Sequence, residues 1–328
     1  MNRLCALLCG IVLTACGGGS GTPSLIIATA TPGGTYYPVG VAIGTLLSEK
    51  LRGQVNASAI NSAGSGENIQ MLVNNEAQLA ILQSLYGAMA YNGTGNYDSP
   101  LQDFRSVTTL WQNVEHFVID RRYLRGGTLE DLKSLASPFS VGKRGSGTEG
   151  ATRVIFSALA IAADTHYTPE YLGYSPSAQA MMDGRIAGAS LAAGPPVAAV
   201  TQVFAQKGAD GVAILNVTDD QLARIRNVYP VYTRHILKAG TYPGQTDDVQ
   251  TMAQPNFLAC RADLSEEMVY NLTRTLYENL AYLQKIHQAT IGMSLDSAVA
   301  GLGVPLHPGA LRYYREQGLD IPDALIAP

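Results

Sequence analysis

Leu25-Ile26-Ile27-Ala28 is a short apolar run that ends abruptly at Thr31-Pro32-Gly33-Gly34-Thr35. An apolar run bounded by Pro and Gly reads as a buried strand. From about Tyr36 the period changes. Val39, Ile43, Leu46, Leu47 and Leu51 fall on one face of a helix, and Pro38 is tolerated in its first turn, where no backbone donor is needed. Val55 to Ile60 reads as a second strand and Asn61 to Gly66 as a turn, with Ser65 as a helix cap. Ile69, Leu72 and Val73 form the inward face of the next helix, and Gln78 to Leu82 is a third strand ending at Gln83-Ser84.

The middle of the chain repeats this order with other residues. Phe139 to Gly142 is a strand, Gly145-Ser146-Gly147 a loop, and a helix from Thr148 carries Ala151, Ile155, Leu159 and Ala162 on one face. A short strand near Tyr171-Leu172 follows, then Gly173-Tyr174-Ser175-Pro176, a helix capped by Ser177, and a strand from Ile186 to Leu191. Alternating strands and helices imply parallel sheets with helices on both faces. Two such units imply an α/β fold of two lobes, each a mostly parallel sheet. The extended apolar segment Val107 to Ile119 links the lobes, and Tyr229 to Thr233 leads back. Residues 24–112 with 230–328 then form the first lobe and 113–229 the second. A long amphipathic helix capped by Ser265, with Leu272, Leu276, Leu280 and Leu283 as its stripe, braces the first lobe. Two crossings make a hinge, and hinge closure is a known way of enclosing a ligand.

The bulk properties fit this division. A chain of 328 residues, 46% hydrophobic and 15% charged, is long enough for two cores. A formal charge of -4, with no basic stripe bearing interleaved aromatics, gives no ground for nucleic-acid binding. Residues 1–15 read as a signal peptide. Arg3 supplies the positive start, and Leu4 to Ala15 is apolar but short of the about 20 residues that span a bilayer. Leu13-Thr14-Ala15-Cys16 resembles a bacterial lipobox, which would make Cys16 the lipidated first residue of the mature chain; residues 16–23 are then a flexible tether. The alternative is an ordinary cleaved signal with a chance cysteine. Cys5 and Cys9 leave with the signal, so of these thiols only Cys260 belongs to the folded part, read as a small buried hydrophobe.

In open parallel sheets ligands bind beyond the carboxyl ends of the strands. Both units place Gly, Ser and Thr there: Gly33, Gly34 and Thr35, Ser62 to Gly66, and Gln83-Ser84 in one; Gly145, Ser146, Gly147 and Thr148, Gly173 to Ser175 with Tyr174, and Ala193-Gly194 in the other. Glycine lets backbone approach a ligand closely, and free N–H groups at a helix start attract anions. Two such starts facing across a cleft suit a small mono- or dicarboxylate, with Lys143 and Arg144 adding positive charge beside one of them. Tyr36 and Tyr37 line the cleft or pack in the core.

The run Ala30-Thr31-Pro32-Gly33-Gly34-Thr35-Tyr36-Tyr37-Pro38-Val39-Gly40 resembles the opening motif of the TAXI proteins, solute-binding subunits of one class of TRAP transporter. Gly64-Ser65-Gly66-Glu67-Asn68-Ile69, Gly145-Ser146-Gly147-Thr148-Glu149, Tyr242-Pro243-Gly244-Gln245 and His307-Pro308-Gly309-Ala310, followed by Arg312-Tyr313-Tyr314, are similar to further family features, in order from Leu25 to Gln317. The resemblance implies a periplasmic-binding-protein fold of type II kind. It implies a protein that hands 2-oxoglutarate, a C4-dicarboxylate or a glutamate-like solute to an ion-gradient-driven transporter; with the lipobox at Cys16, the expectation is a monomer anchored by lipid at the periplasmic or outer face of a bacterial membrane. By motif match it puts ligand contacts at Gly34, Thr35, Tyr36, Tyr37, Ser65, Gln83, Gly145, Ser146, Gly147 and Thr148. The chain departs from the pattern at Gln78 and at Ala187 or Gly188, where similar proteins carry an acidic residue.

Rival readings have thinner support. Gly145 to Gly150 fits the dinucleotide pattern G-x-G-x-x-G, but that motif also needs an acidic residue closing the next strand; Asp164 and Glu170 are misplaced for it. No G-x-S-x-G or H-E-x-x-H occurs, and His116, His166, His235, His287 and His307 lack metal-ligand spacing, so neither a cofactor nor catalysis is expected. A sensor that presents its ligand to a membrane receptor would have this same sequence.

Overall fold

The computed structural model describes residues 22–327. The signal segment, Cys16 and the tether as far as Gly21 lie outside the described residues. The chain runs β1 (Ser24–Ala28), α1 (Tyr36–Lys50), β2 (Asn56–Ile60), α2 (Ser65–Val73), β3 (Leu79–Gln83), α3 (Ser84–Asn92), β4 (Phe104–Val114), β5 (Phe117–Asp120), β6 (Pro138–Ser140), α4 (Gly147–Ala158), β7 (Thr168–Glu170), α5 (Tyr174–Met182), β8 (Gly188–Ser190), α6 (Ala198–Lys207), β9 (Val212–Ile214), α7 (Asp219–Val228), β10 (Thr233–Leu237), β11 (Val249–Arg261), α8 (Glu266–Glu278), α9 (Leu280–Ile286) and α10 (Pro308–Glu316).

Two sheets result. The first has the order β10-β11-β3-β1-β2, with β4 also on β11; the second has β7-β6-β8-β5-β9. In each, the first strand of the repeat lies between the second and the third, all parallel, and an antiparallel strand continues past the third. The sheets are therefore mixed rather than mostly parallel. The parallel part is the strand–helix repeat legible in sequence. The antiparallel part involves β4 and β5, which carry the chain from the first sheet to the second, and β9, β10 and β11, through which it returns.

Each sheet is covered on both faces. In the first lobe Ile27, Ile43, Leu47 and Leu79 pack with Val269, Leu272, Leu276 and Leu283, so α8 and α9 do brace it. Asn279 breaks the expected single helix between them. The opposite face is held by Ile69, Leu72, Phe104 and Phe257. In the second lobe Phe117, Phe139, Ile155 and Phe156 fill one side and Val118, Met181, Val200 and Phe204 the other. Leu85 and Met89 of α3 join the second lobe's core, so part of the contact between lobes is apolar.

The crossing from β4 to β5 is the buried pair Glu115-His116. The Glu115 amide donates to Met252 O (2.9 Å), and Thr251 Oγ1 donates to Glu115 O (2.7 Å), which ties the outgoing strand to β11. No helix among the described residues is long and apolar enough to cross a membrane.

Candidate functional site

The helix starts converge on one cavity because buried polar side chains fix them to strand ends. Asn68, one turn into α2, donates to Thr29 O (2.7 Å) and Ile81 O (2.9 Å), beyond β1 and within β3. Ser62 donates to its Oδ1 (2.6 Å). In the second lobe Ser146 caps α4 by accepting from Glu149 N (3.0 Å), and Thr152 Oγ1 donates to Ser190 Oγ at the end of β8 (2.8 Å). Two expected caps have other duties. Ser65 is the first residue of α2, and its Oγ accepts from Gln83 N (3.1 Å). Ser177 lies inside α5, with its Oγ 2.8 Å from Ser140 Oγ.

Between the lobes lies a cavity of about 30 Å³ lined by Ala30, Thr31, Gly34, Thr35, Tyr36, Ala63, Gly64, Ser65, Gln83, Ser146, Gly147, Thr148, Tyr174, Ala192 and Ala193. Nine of the twelve residues expected at the site are in that wall. Gly145 and Gly194 sit just outside it and join the lobes. Gly145 O accepts from Glu67 N (3.1 Å), and Gly194 O accepts from Thr35 Oγ1 (2.8 Å). Tyr37 is half-buried and does not line the cavity. It follows Tyr36 by one helical residue, so it faces about 100° away. Lys143 and Arg144 are exposed and outside the wall; the Arg144 guanidinium stacks on the Tyr171 ring at 3.5 Å.

The wall carries hydroxyls, amides and backbone, and no full charge. Among the described residues the N–H groups of Ser65, Gly66, Gly147 and Thr148 have no acceptor. They are the orphan donors of α2 and α4. Thr148 Oγ1 is 2.6 Å from Tyr174 OH, which in turn donates to Ala192 O. Tyr36 OH donates to Asn256 Oδ1 (2.5 Å). Burial pushes the Tyr36 and Tyr174 hydroxyls far above their ordinary range, so both stay protonated donors. This arrangement can hold an anion by dipoles and hydrogen bonds without a basic side chain.

Behind the wall lies a polar layer that the sequence reading passed over. Asn113, Glu115, Tyr232, Gln254 and Asn256 have no accessible surface. Their sequence signal was Asn113 and Glu115 interrupting an apolar run already read as extended. Gln254 Nε2 donates to Tyr232 OH (3.1 Å) and approaches Gln83 Oε1 (3.4 Å). Burial pushes the Glu115 carboxyl up to about 8, partly opposed by the hydrogen bond from Tyr232. No group of three or more His, Cys, Asp or Glu among the described residues is placed to hold a metal ion.

Two α/β lobes, crossed by long strands and closed over a cavity at their strand ends, define the periplasmic-binding-protein fold. The chain belongs to the NMT1-like family, which matches residues 27–318. Its fold is similar to that of MatC from Rhodopseudomonas palustris, solved with bound malate: TM-score 0.56 at 12% identity, covering 90% of this chain and 97% of that one. It is also similar to a protein of Bordetella bronchiseptica RB50, with TM-score 0.53 at 15% identity over 92% and 91% of the two chains.

Proposed function

We propose that this chain is a TAXI-type subunit of a TRAP transporter. It captures a small carboxylate between its lobes and delivers it to membrane subunits driven by an ion gradient. Residues 24–112 with 230–328 move as one lobe and 113–229 as the other, and lipid on Cys16 keeps the protein at the outer face of a membrane.

The observation that carries the reading is the pair of helix starts, α2 and α4, one from each lobe. Their free N–H groups meet at a wall with no charged residue. A carboxylate satisfies donors from both lobes at once, so it stabilises the closed form over the open one. The likeness in fold to a protein holding malate agrees with this. A cavity of about 30 Å³ has room for roughly two waters, so a solute enters as the lobes part and the wall gives way.

The test is a thermal-shift screen on the chain from Ser20 onward, refolded free of co-purified solute. The panel holds 2-oxoglutarate, succinate, malate, fumarate, glutamate, glutamine and neutral sugars. A ligand at a hundred times its Kd adds about 2.7 kcal/mol, so a carboxylate should raise the Tm with dose. A shift with sugars alone would overturn the anion site and leave the fold standing.

A further inference from the structure

Buried polar atoms almost always find partners, so those that do not call for an explanation. Four such side-chain atoms lack one among the described residues: Ser84 Oγ, Trp111 Nε1, Asn113 Nδ2 and Glu115 Oε2. Trp111, Asn113 and Glu115 follow one another along the outgoing crossing strand, and Ser84 adjoins the cavity residue Gln83. The open hydrogen-bonding capacity of the interior is thus gathered next to the cleft.

The cavity wall leads to the same place. Most of it is backbone and small side chains, and its three long side chains are Tyr36, Gln83 and Tyr174. Tyr36 reaches Asn256, whose Nδ2 is 3.5 Å from Asn113 Oδ1. Gln83 reaches Gln254, which reaches Tyr232, whose OH donates to Glu115 Oε1 (3.4 Å). Tyr174 lies close enough to feel the Glu115 charge, as does Tyr36, although burial dominates both. A solute larger than the cavity gains room by displacing these side chains, and two of them, Tyr36 and Gln83, back onto the layer that contains Glu115.

Resting on the carboxylate reading above, we infer that Glu115, with Asn113 beside it, forms a deeper subsite that receives the protonated amine of an amino-acid ligand whose carboxylate sits on the α2 and α4 starts. Charge balance supports this. The wall offers partial positive charge from helix ends and no basic side chain, so a second carboxylate would meet no counter-charge. An ammonium group supplies the partner that the buried carboxyl lacks. The titratable groups facing Glu115 are Tyr232, Tyr36 and Tyr174, and no basic side chain among the described residues contributes to its titration. Burial holds the Glu115 carboxyl up at about 8, so before binding at pH 7 it is mostly protonated. On binding, its O–H bond breaks, the proton leaves to solvent, and the carboxylate pairs with the intact ammonium.

The test is titration calorimetry at pH 7 in two buffers of different ionisation enthalpy. It uses matched pairs: glutamate with 2-oxoglutarate, alanine with pyruvate, and malate for comparison. An amino acid should bind at least about tenfold tighter than its oxo partner, since a site built for a polar group rejects the analogue lacking it. Roughly one proton should be released per ligand. In Glu115→Gln the preference and the proton release should both disappear while weak carboxylate binding persists. An oxo acid or malate binding as tightly as the amino acids, or amino-acid binding without proton release from the unaltered protein, would overturn the subsite and leave the carboxylate reading intact. Binding of neither class would overturn both.

Discussion

Gly147, the first residue of α4, stands against Ser65, the first residue of α2: a β-carbon on Gly147 would lie 2.7 Å from Ser65 Oγ and 2.9 Å from the Gln83 amide. The two residues belong to different lobes, so the contact exists only when the lobes are together. Gly147→Ala therefore penalises the closed form and not the folding of either lobe. Overpacking of this kind costs about 1–3 kcal/mol. That predicts ligand binding weaker by roughly five- to 150-fold, with little change in the Tm of the protein without ligand. Calorimetry and melting curves measure the two effects separately. An unchanged affinity would show that these helix starts do not meet around the solute.

Tyr174 supports the wall from within the second lobe. Its hydroxyl joins Thr148 Oγ1 to the Ala192 carbonyl. Tyr174→Phe keeps the ring and removes that link, leaving two buried polar groups short of a partner. The cost is about 1–2 kcal/mol, so affinity should fall roughly five- to thirtyfold. The circular dichroism spectrum should not change. Thr148→Ala should act in the same direction. If both variants bind as the unaltered protein does, the ligand does not use this wall.

The alternation of strand, Gly/Ser loop and helix was legible because buried parallel strands and amphipathic helices leave periods in the sequence, and glycine marks where they stop. That pattern placed Gly34, Thr35, Ser65, Gln83, Ser146, Gly147, Thr148 and Tyr174 at one cavity across the gap between two units. The antiparallel strands left a weaker mark. β11 carries Gln254, Pro255 and Asn256 in its middle: the Gln254 and Asn256 side chains bond inside a polar layer that no local pattern announces, and Pro255 sits at an irregularity in the pairing with β4. Helix α3 was missed for a related reason: Ser84 starts it directly after β3 with no intervening turn. Tyr36 and Tyr37 were indistinguishable in sequence, and helix phase alone sends one to the site and the other to the flank.

Cys260 lies in β11 with no accessible surface, and burial pushes its thiol well above the ordinary range. In the chain from Ser20 onward it is the sole cysteine. A thiol reagent should leave the native protein unmodified for as long as the sheet stays closed and should label one equivalent after denaturation. Rapid labelling of the native protein would mean that β11 opens to solvent, which is incompatible with its place between β3 and β4.

Glu115 and His116 are neighbours, both buried, and burial moves their titrations in opposite directions. Glu115 goes up to about 8 from 4.5, and His116 goes down to about 4 from 6.5. The His116 Nδ1 proton points at the carbonyls of Val114 (2.9 Å) and Leu191 (3.1 Å), while Nε2 accepts from Tyr242 OH (2.7 Å), so the neutral ring is fully bonded. Between pH 4.5 and 8 the folded protein holds a proton on Glu115 that the unfolded chain releases, so this group's contribution falls as pH rises. Between pH 4 and 6.5 the unfolded chain binds a proton at His116 that the folded protein refuses, so that contribution falls as pH drops. Burial also lowers His235, His287 and His307, which adds to the acid side. Stability measured by urea unfolding should therefore peak near pH 6.5. It should decline by on the order of 2 kcal/mol by pH 8, at about 1.4 kcal/mol per pH unit for one proton. Glu115→Gln removes the alkaline decline only: its stability should stay level from pH 6.5 to 8 and still fall on acidification. An alkaline decline of the same size in that variant would place the titrating group elsewhere and leave Glu115 ionised in the folded protein.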